Sequence, residues 1–124
     1  LDENHLIPQG GVYFGALITS TISLEGVLAI LNSRILSFVY KVLYGGMHMG
    51  GGYLRFRSNC LDELPVPEVS EFEDKKLKDL VTEMLTTTKR GDSIHENADN
   101  KIDKLVCKLY SLTPEEIKIV ESAK

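Results

Sequence analysis

From Ser23 to Leu43 the chain places apolar side chains on more than one face of a single helical spacing, and that stretch limits what the molecule can become. Ser23 is a suitable N-cap, and Glu25 lies where the positive end of a helix favours a carboxylate. Leu24, Val27, Leu28, Leu31, Ile35, Phe38, Val39 and Val42 follow the i, i+3, i+4, i+7 rule. Ile30, Leu36, Tyr40 and Leu43 fall on the opposite side, so the spacing predicts one long helix covered on several sides. Gly45-Gly46 ends it. With 124 residues, 43 % of them hydrophobic, the chain has enough apolar surface to bury that helix in one modest core. It is too short for a cofactor-binding domain plus a separate substrate domain.

The elements around this helix read differently in the two halves. Gly11 to Ile18 (GVYFGALI) is apolar, β-branched and aromatic, which predicts a strand buried on both faces. Gly45 to Gly52 has five glycines in eight residues and reads as a loop. Tyr53 to Arg57 (YLRFR) alternates: Tyr53, Arg55 and Arg57 on one face, Leu54 and Phe56 on the other, as in a short strand. Ser58 is expected to cap a helical turn reaching Leu64, and Pro65-Val66-Pro67 to be extended, since each proline disfavours helix in the residue before it. Beyond it, Leu77, Leu80, Val81, Met84 and Leu85 form one apolar stripe, and Ala98, Ile102, Leu105, Val106 and Leu109 a second. Thr86 to Ser93 is expected to join the two helices, with Gly91 as the turn. Thr113-Pro114-Glu115-Glu116 is a helix start with Thr at N-cap, Pro at N1 and Glu at N3, and Ile117 and Val120 then face inward. The layout predicts an α+β fold: a small β-sheet with one long packed helix, followed by a C-terminal helical tail of two amphipathic helices and a short terminal one. Residues 1–67 and 68–124 are expected to form one packed unit. The first residue is Leu1, not methionine, so a fragment of a longer polypeptide is expected.

Charge is segregated. The chain carries 14 Lys+Arg against 18 Asp+Glu, a net −4. From Ser20 to Leu61, Arg34, Lys41, Arg55 and Arg57 stand against Glu25 alone, a net +3, whereas Asp62 to Lys124 has ten basic and fifteen acidic residues. A polyanion is therefore expected to meet attraction in the middle third and repulsion along the tail, and a buried middle third with few carboxylates would show the same bias. Cys60 and Cys107 share no metal-ligand spacing and read as reduced core residues, which suits the cytoplasm. Asn4 to Leu24 lacks charge, but Pro8, Gly10, Gly11, Gly15 and Thr19-Ser20-Thr21 argue against a membrane helix. His5, His48 and His95 have no ligand at metal spacing, no Lys-Ser/Thr follows the glycine loop, and no nucleophile–base order stands out. The sequence thus points to no catalytic residue, metal or cofactor site of its own.

What remains is the glycine loop and the arginines after it. Glycines let backbone amides approach a phosphate, and Arg55 and Arg57 are spaced to meet phosphates or guanine edges from one face of a strand. A hairpin tip with two solvated arginines has the same pattern. Four motifs in order then carry a resemblance: LAILNS (Leu28–Ser33), GGGYLRF (Gly50–Phe56), LDELPVP (Leu61–Pro67) and IDKLVCKLYSLTPEEIKIVE (Ile102–Glu121). In these the chain resembles the TaqI-like C-terminal specificity domain of type IIG restriction-modification enzymes and adenine-specific DNA methyltransferases. The helix–loop–strand portion also resembles target-recognition domains of type I specificity subunits.

The resemblance implies a sequence-specific double-stranded DNA recognition module, non-catalytic itself, serving an upstream methyltransferase domain that binds S-adenosylmethionine and methylates a flipped adenine. It places Gly50, Gly51, Gly52, Tyr53 and Arg55 nearest the DNA. Arg57 joins them on strand geometry, and Lys41 and His48 flank the loop within reach of phosphates. Asn32 and Ser33 are expected to be structural hydrogen-bonders, Pro65 and Pro67 to set how the tail departs, and the acidic tail to face the neighbouring domain. The competing expectation is a non-enzymatic interaction module that self-associates through the Leu77–Leu85 and Ala98–Leu109 stripes.

Overall fold

The computed structural model describes residues 4, 7, 15, 21–46, 56–90 and 95–123. Among the described residues all regular structure is helical: α1 (Leu24–Leu31), α2 (Arg34–Tyr44), α3 (Ser58–Asp62), α4 (Glu71–Arg90), α5 (His95–Leu109) and α6 (Pro114–Ser122). No strand or sheet occurs among them, which corrects the α+β expectation. Apart from Gly15, the expected strand at Gly11–Ile18 lies outside the described residues, as do Tyr53, Leu54 and Arg55. Phe56 and Arg57, the described end of the second expected strand, lead into α3 without pairing to a neighbour strand. The alternation did signal extended backbone at Arg57 (φ −123°, ψ 144°), but extension alone is not a strand. A strand needs a second chain edge for its amides, and here the Arg57 N–H goes to a side chain, the Tyr40 hydroxyl.

The expected long helix is two helices meeting at 56°. Ser33 makes the break: its backbone is extended (φ −67°, ψ 153°) and its hydroxyl accepts the Leu36 N–H at the start of α2. The same hydroxyl donates to the Ile30 carbonyl at 2.6 Å, so the 2 %-exposed serine is satisfied on both sides. Asn32 closes α1 by donating its side-chain amide to the Leu28 carbonyl. Asn32 and Ser33 thus serve structure, as expected. The bend changes which residues go inside. Ala29, Ile30, Ile35, Leu36 and Tyr40 are buried, whereas Leu24, Leu31, Val42 and Leu43 of the expected helix faces are exposed. A straight 3.6-residue period carried across Ser33 assigns the wrong face to the core.

Two carboxylates from the tail fasten this broken pair. Asp74 on α4 accepts from both the N–H and the hydroxyl of Ser23 (3.0 and 2.9 Å), while the Ser23 hydroxyl accepts the Gly26 N–H. Asp103 on α5 accepts the Arg34 N–H at 2.9 Å and pairs with its guanidinium at 2.9 Å, and Arg34 also donates to Asn100. Each carboxylate therefore meets the positive end of a helix and an otherwise orphaned donor. Burial pushes the Asp103 carboxyl above its ordinary range; the Arg34 N–H and charge pull it back, and Asp99 and Glu121 push with the burial. At Gly26 the approach of α4 leaves no room for a Cβ, which would meet the Asp74 carboxylate and lie 2.8 Å from Ile22 Cγ1.

α4 and α5 pack along one another, α1 lies on α4 and α5, and α2 packs against α5 and α6. One core joins both halves of the chain: Ile30, Leu36 and Tyr40 meet Leu77, Val81, Ile102, Val106 and Val120. Each such aliphatic side chain contributes about 1.5–3 kcal/mol on burial. Leu77, Val81, Ile102 and Val106 of the tail stripes are thus inside this core, with Leu80, Met84, Leu85, Leu105 and Leu109 half-buried against it. α4 extends to Arg90, so Thr86 to Arg90, expected in the connection, are helical. Ser58 is the first residue of α3 and not its cap; Arg57 occupies that place without a side-chain bond.

The tail helices begin on reciprocal caps. Thr113 and Glu116 form the capping box expected from TPEE. Ser70 and Glu73 form a second: the Ser70 N–H and hydroxyl donate to Glu73 at 3.0 and 2.7 Å, and the Glu73 N–H donates back at 3.4 Å. α5 ends with Ser111 in the left-handed region (φ 54°), where the Leu112 N–H reaches the Cys107 carbonyl. Tyr110 donates its hydroxyl to the Pro65 carbonyl, tying the proline segment to the end of α5, and burial pushes that phenol up to about 12.

Gly26→Ala should destabilise the chain by about 1–3 kcal/mol in urea unfolding, the usual range for overpacking. The penalty should shrink in an Asp74→Ala background, where the colliding carboxylate is gone. Hydrogen bonds from Ser70 hold the Glu73 carboxyl below its ordinary range, and those from Thr113 do the same for Glu116. Depressed folded values give a contribution that is complete above about pH 4.5, the ordinary glutamate value, and is lost as pH falls through the folded value. Glu73→Gln with Glu116→Gln should therefore flatten the acid decline of the thermal midpoint. Asp103, shifted the other way, contributes equally to both proteins and leaves their difference unchanged.

Candidate nucleic-acid interface

Two of the residues expected at the DNA, Lys41 and Arg57, adjoin the buried Tyr40. Its side chain is 1 % exposed on α2, one residue before Lys41. The Tyr40 ring lies 4.6 Å from Phe56 and 5.1 Å from Tyr44, one helical turn on. Its hydroxyl accepts the Arg57 N–H at 3.3 Å. Burial pushes the Tyr40 phenol up, and the Arg57 N–H opposes that push. Tyr44 donates its hydroxyl to the Glu63 carboxylate, which pushes the phenol up to about 12. The chain leaving α2 at Gly45 and the chain returning at Phe56 are thus joined by one buried aromatic side chain.

Of the expected contact residues, Lys41 and Arg57 are described. Lys41 is exposed in the last turn of α2, where a cation suits the negative helix end. The Arg57 side chain is exposed and enters no ion pair among the described residues, whose one such pair is Arg34–Asp103. Both adjoin Tyr40, Lys41 through the chain and Arg57 through its amide. His48, Gly50, Gly51, Gly52, Tyr53 and Arg55 lie outside the described residues. The expectation of Arg57 and Arg55 sharing a strand face is corrected at Arg57, which caps α3 and lies in no strand.

Among the described residues no group of three or more His, Cys, Asp or Glu side chains is arranged to hold a metal ion. Cys60 and Cys107 are buried and free, and burial pushes the Cys107 thiol up, away from the reactive thiolate. A cavity of about 430 Å³ between α1, α4 and α5 is walled by Leu28, Val81, Met84 and Ile102, with Arg34 and Asp103 bonded to each other at its edge. No single described helix is long and apolar enough to cross a membrane. The bent α1–α2 pair has the length and composition, but its Ala29, Ile30, Leu36 and Tyr40 are in the core.

No family model, curated protein or solved structure matches the chain.

Sequence reasoning missed Tyr40, Tyr44 and Phe56 as the support of this region. The signal was present in Tyr40 and Tyr44 at i, i+4, but it fell on the helix side taken as secondary. Tyr40→Phe should lower stability by about 1 kcal/mol, since it keeps the ring and leaves the Arg57 amide without its acceptor. Tyr44→Phe, which removes only an exposed bond, should cost less in the same denaturant titration.

Proposed function

We propose that this chain is a double-stranded DNA recognition region of a restriction-modification enzyme, of the type IIG kind. Its work is to hold and read the duplex for an upstream domain of the same polypeptide. That domain supplies S-adenosylmethionine and methylates adenine; the residues described above bind and orient and do no chemistry. The observation that carries the reading is an exposed Arg57, in no ion pair among the described residues, whose backbone N–H is bonded to the buried Tyr40 hydroxyl. A guanidinium on a fixed amide loses less freedom on meeting a phosphate or a guanine edge than one on a loose tip. Lys41 adds a second exposed cation next to the same anchor. The order of the four motifs supplies the kind of enzyme. The compartment that goes with this reading is the cytoplasm, where two free cysteines stay reduced.

Self-association through the two tail stripes has less to recommend it. Leu77, Val81, Ala98, Ile102 and Val106 are all buried within the chain itself.

The chain should bind short duplex DNA weakly, with affinity falling as salt rises, because phosphate contacts release counterions. Arg55→Ala combined with Arg57→Ala should abolish that binding, and Arg57→Ala, at an exposed side chain, should leave the unfolding free energy within about 0.5 kcal/mol. Duplex affinity insensitive to both salt and the arginine pair would remove the proposal.

A further inference from the structure

The tail is acidic in sum, yet one of its surfaces is not. Lys76 on α4 and Lys101, Lys104 and Lys108 on α5 line one open groove, floored by Leu80 and Leu105, with Asp79 as its one acidic member. All four lysines are exposed, and none enters an ion pair among the described residues. Lys76 lies 4.1 Å over the Phe72 ring, which holds that ammonium at the groove without neutralising it. Three carboxylates of the same helices bond elsewhere, Asp74 to Ser23, Glu73 to Ser70 and Asp103 to Arg34, although Glu73 also lies in the field of Lys76. Within the groove's own lining the lysines exceed Asp79 by three positive charges, and on their far side Lys104 and Lys108 border Asp103 and Glu121.

We infer that this α4–α5 groove is a second, sequence-independent contact for the DNA phosphate backbone. The inference rests on the DNA reading given above and reverses the expectation that the tail faces away from the duplex. Lys101, Lys104 and Lys108 recur at i, i+3 and i+7 on one face, spanning about 10 Å along the helix axis. One strand of a duplex presents about three phosphates over that length. Flexible ammonium groups suit phosphates as point charges, and Leu80 and Leu105 give their aliphatic stems an apolar bed. A row of unpaired cations with no bidentate arginine fits a uniform polyanion better than a folded acidic protein, whose carboxylates are irregularly placed.

The test is duplex binding by the full chain across a salt series, for the parent sequence, Lys101→Gln/Lys104→Gln/Lys108→Gln, and Arg55→Ala/Arg57→Ala. The lysine triple should weaken binding and lower the slope of log affinity against log salt by about 2.7, since each phosphate contact contributes about 0.9. The single Lys104→Gln, least able to disturb folding, should lower it by about 0.9. Unchanged affinity and slope in the lysine variants, with binding lost in the arginine pair, overturns this inference and leaves the loop reading standing. The reverse pattern keeps the groove and removes the loop. A parent chain that binds no duplex at low salt but captures polyglutamate through these lysines overturns both in favour of an acidic protein partner.

Discussion

Two aspartates hold the architecture together by reaching from the tail to the starts of the helices they cover. Asp74 satisfies Ser23 at the head of α1, and Asp103 satisfies Arg34 at the head of α2. Neither helix is long, at 8 and 11 residues, and helices of that length are marginal alone. Each gains an anion at its positive end and a partner for a donor that has none inside the helix. The break at Ser33 is what makes room for the second of these contacts, since a continuous helix would have used the Arg34 amide internally. The bend, the two caps and the glycine at position 26 therefore belong to one arrangement.

That arrangement also explains why a chain with a basic middle and an acidic tail does not fold as two electrostatic blocks. Four of the tail carboxylates, Asp74, Asp103, Glu73 and Glu116, are engaged at helix starts, where they accept from backbone donors. The lysines of the same helices point outward. Net charge by segment is a poor guide to the field at any one face, because α-helical spacing sorts charges by angle and not by order along the chain.

Much of the helical content was legible in the sequence and little of its direction was. The stripes at Leu77–Leu85 and Ala98–Leu109 and the Thr113–Glu116 box gave α4, α5 and α6, because period and capping chemistry are local. The Ser70–Glu73 box was passed over, although it has the same spacing. The long helix misled: Asn32 and Ser33 look harmless within an apolar run, and whether a serine caps a new helix depends on a carboxylate 70 positions away at Asp103. The small sheet misled for a related reason, since alternation specifies extension and says nothing of a partner edge. Lys41 and Arg57 were picked out from charge and spacing, and both are exposed. Their support, Tyr40, was not, because a tyrosine inside an apolar helix reads as filler until the chain that returns to it is in place.

Tyr40 has one more consequence. Its ring meets Phe56 and its hydroxyl meets the Arg57 amide, so one side chain on α2 fixes the chain that enters α3. The end of α2 and the start of α3 are thereby coupled, and neither can rotate without dragging the other along.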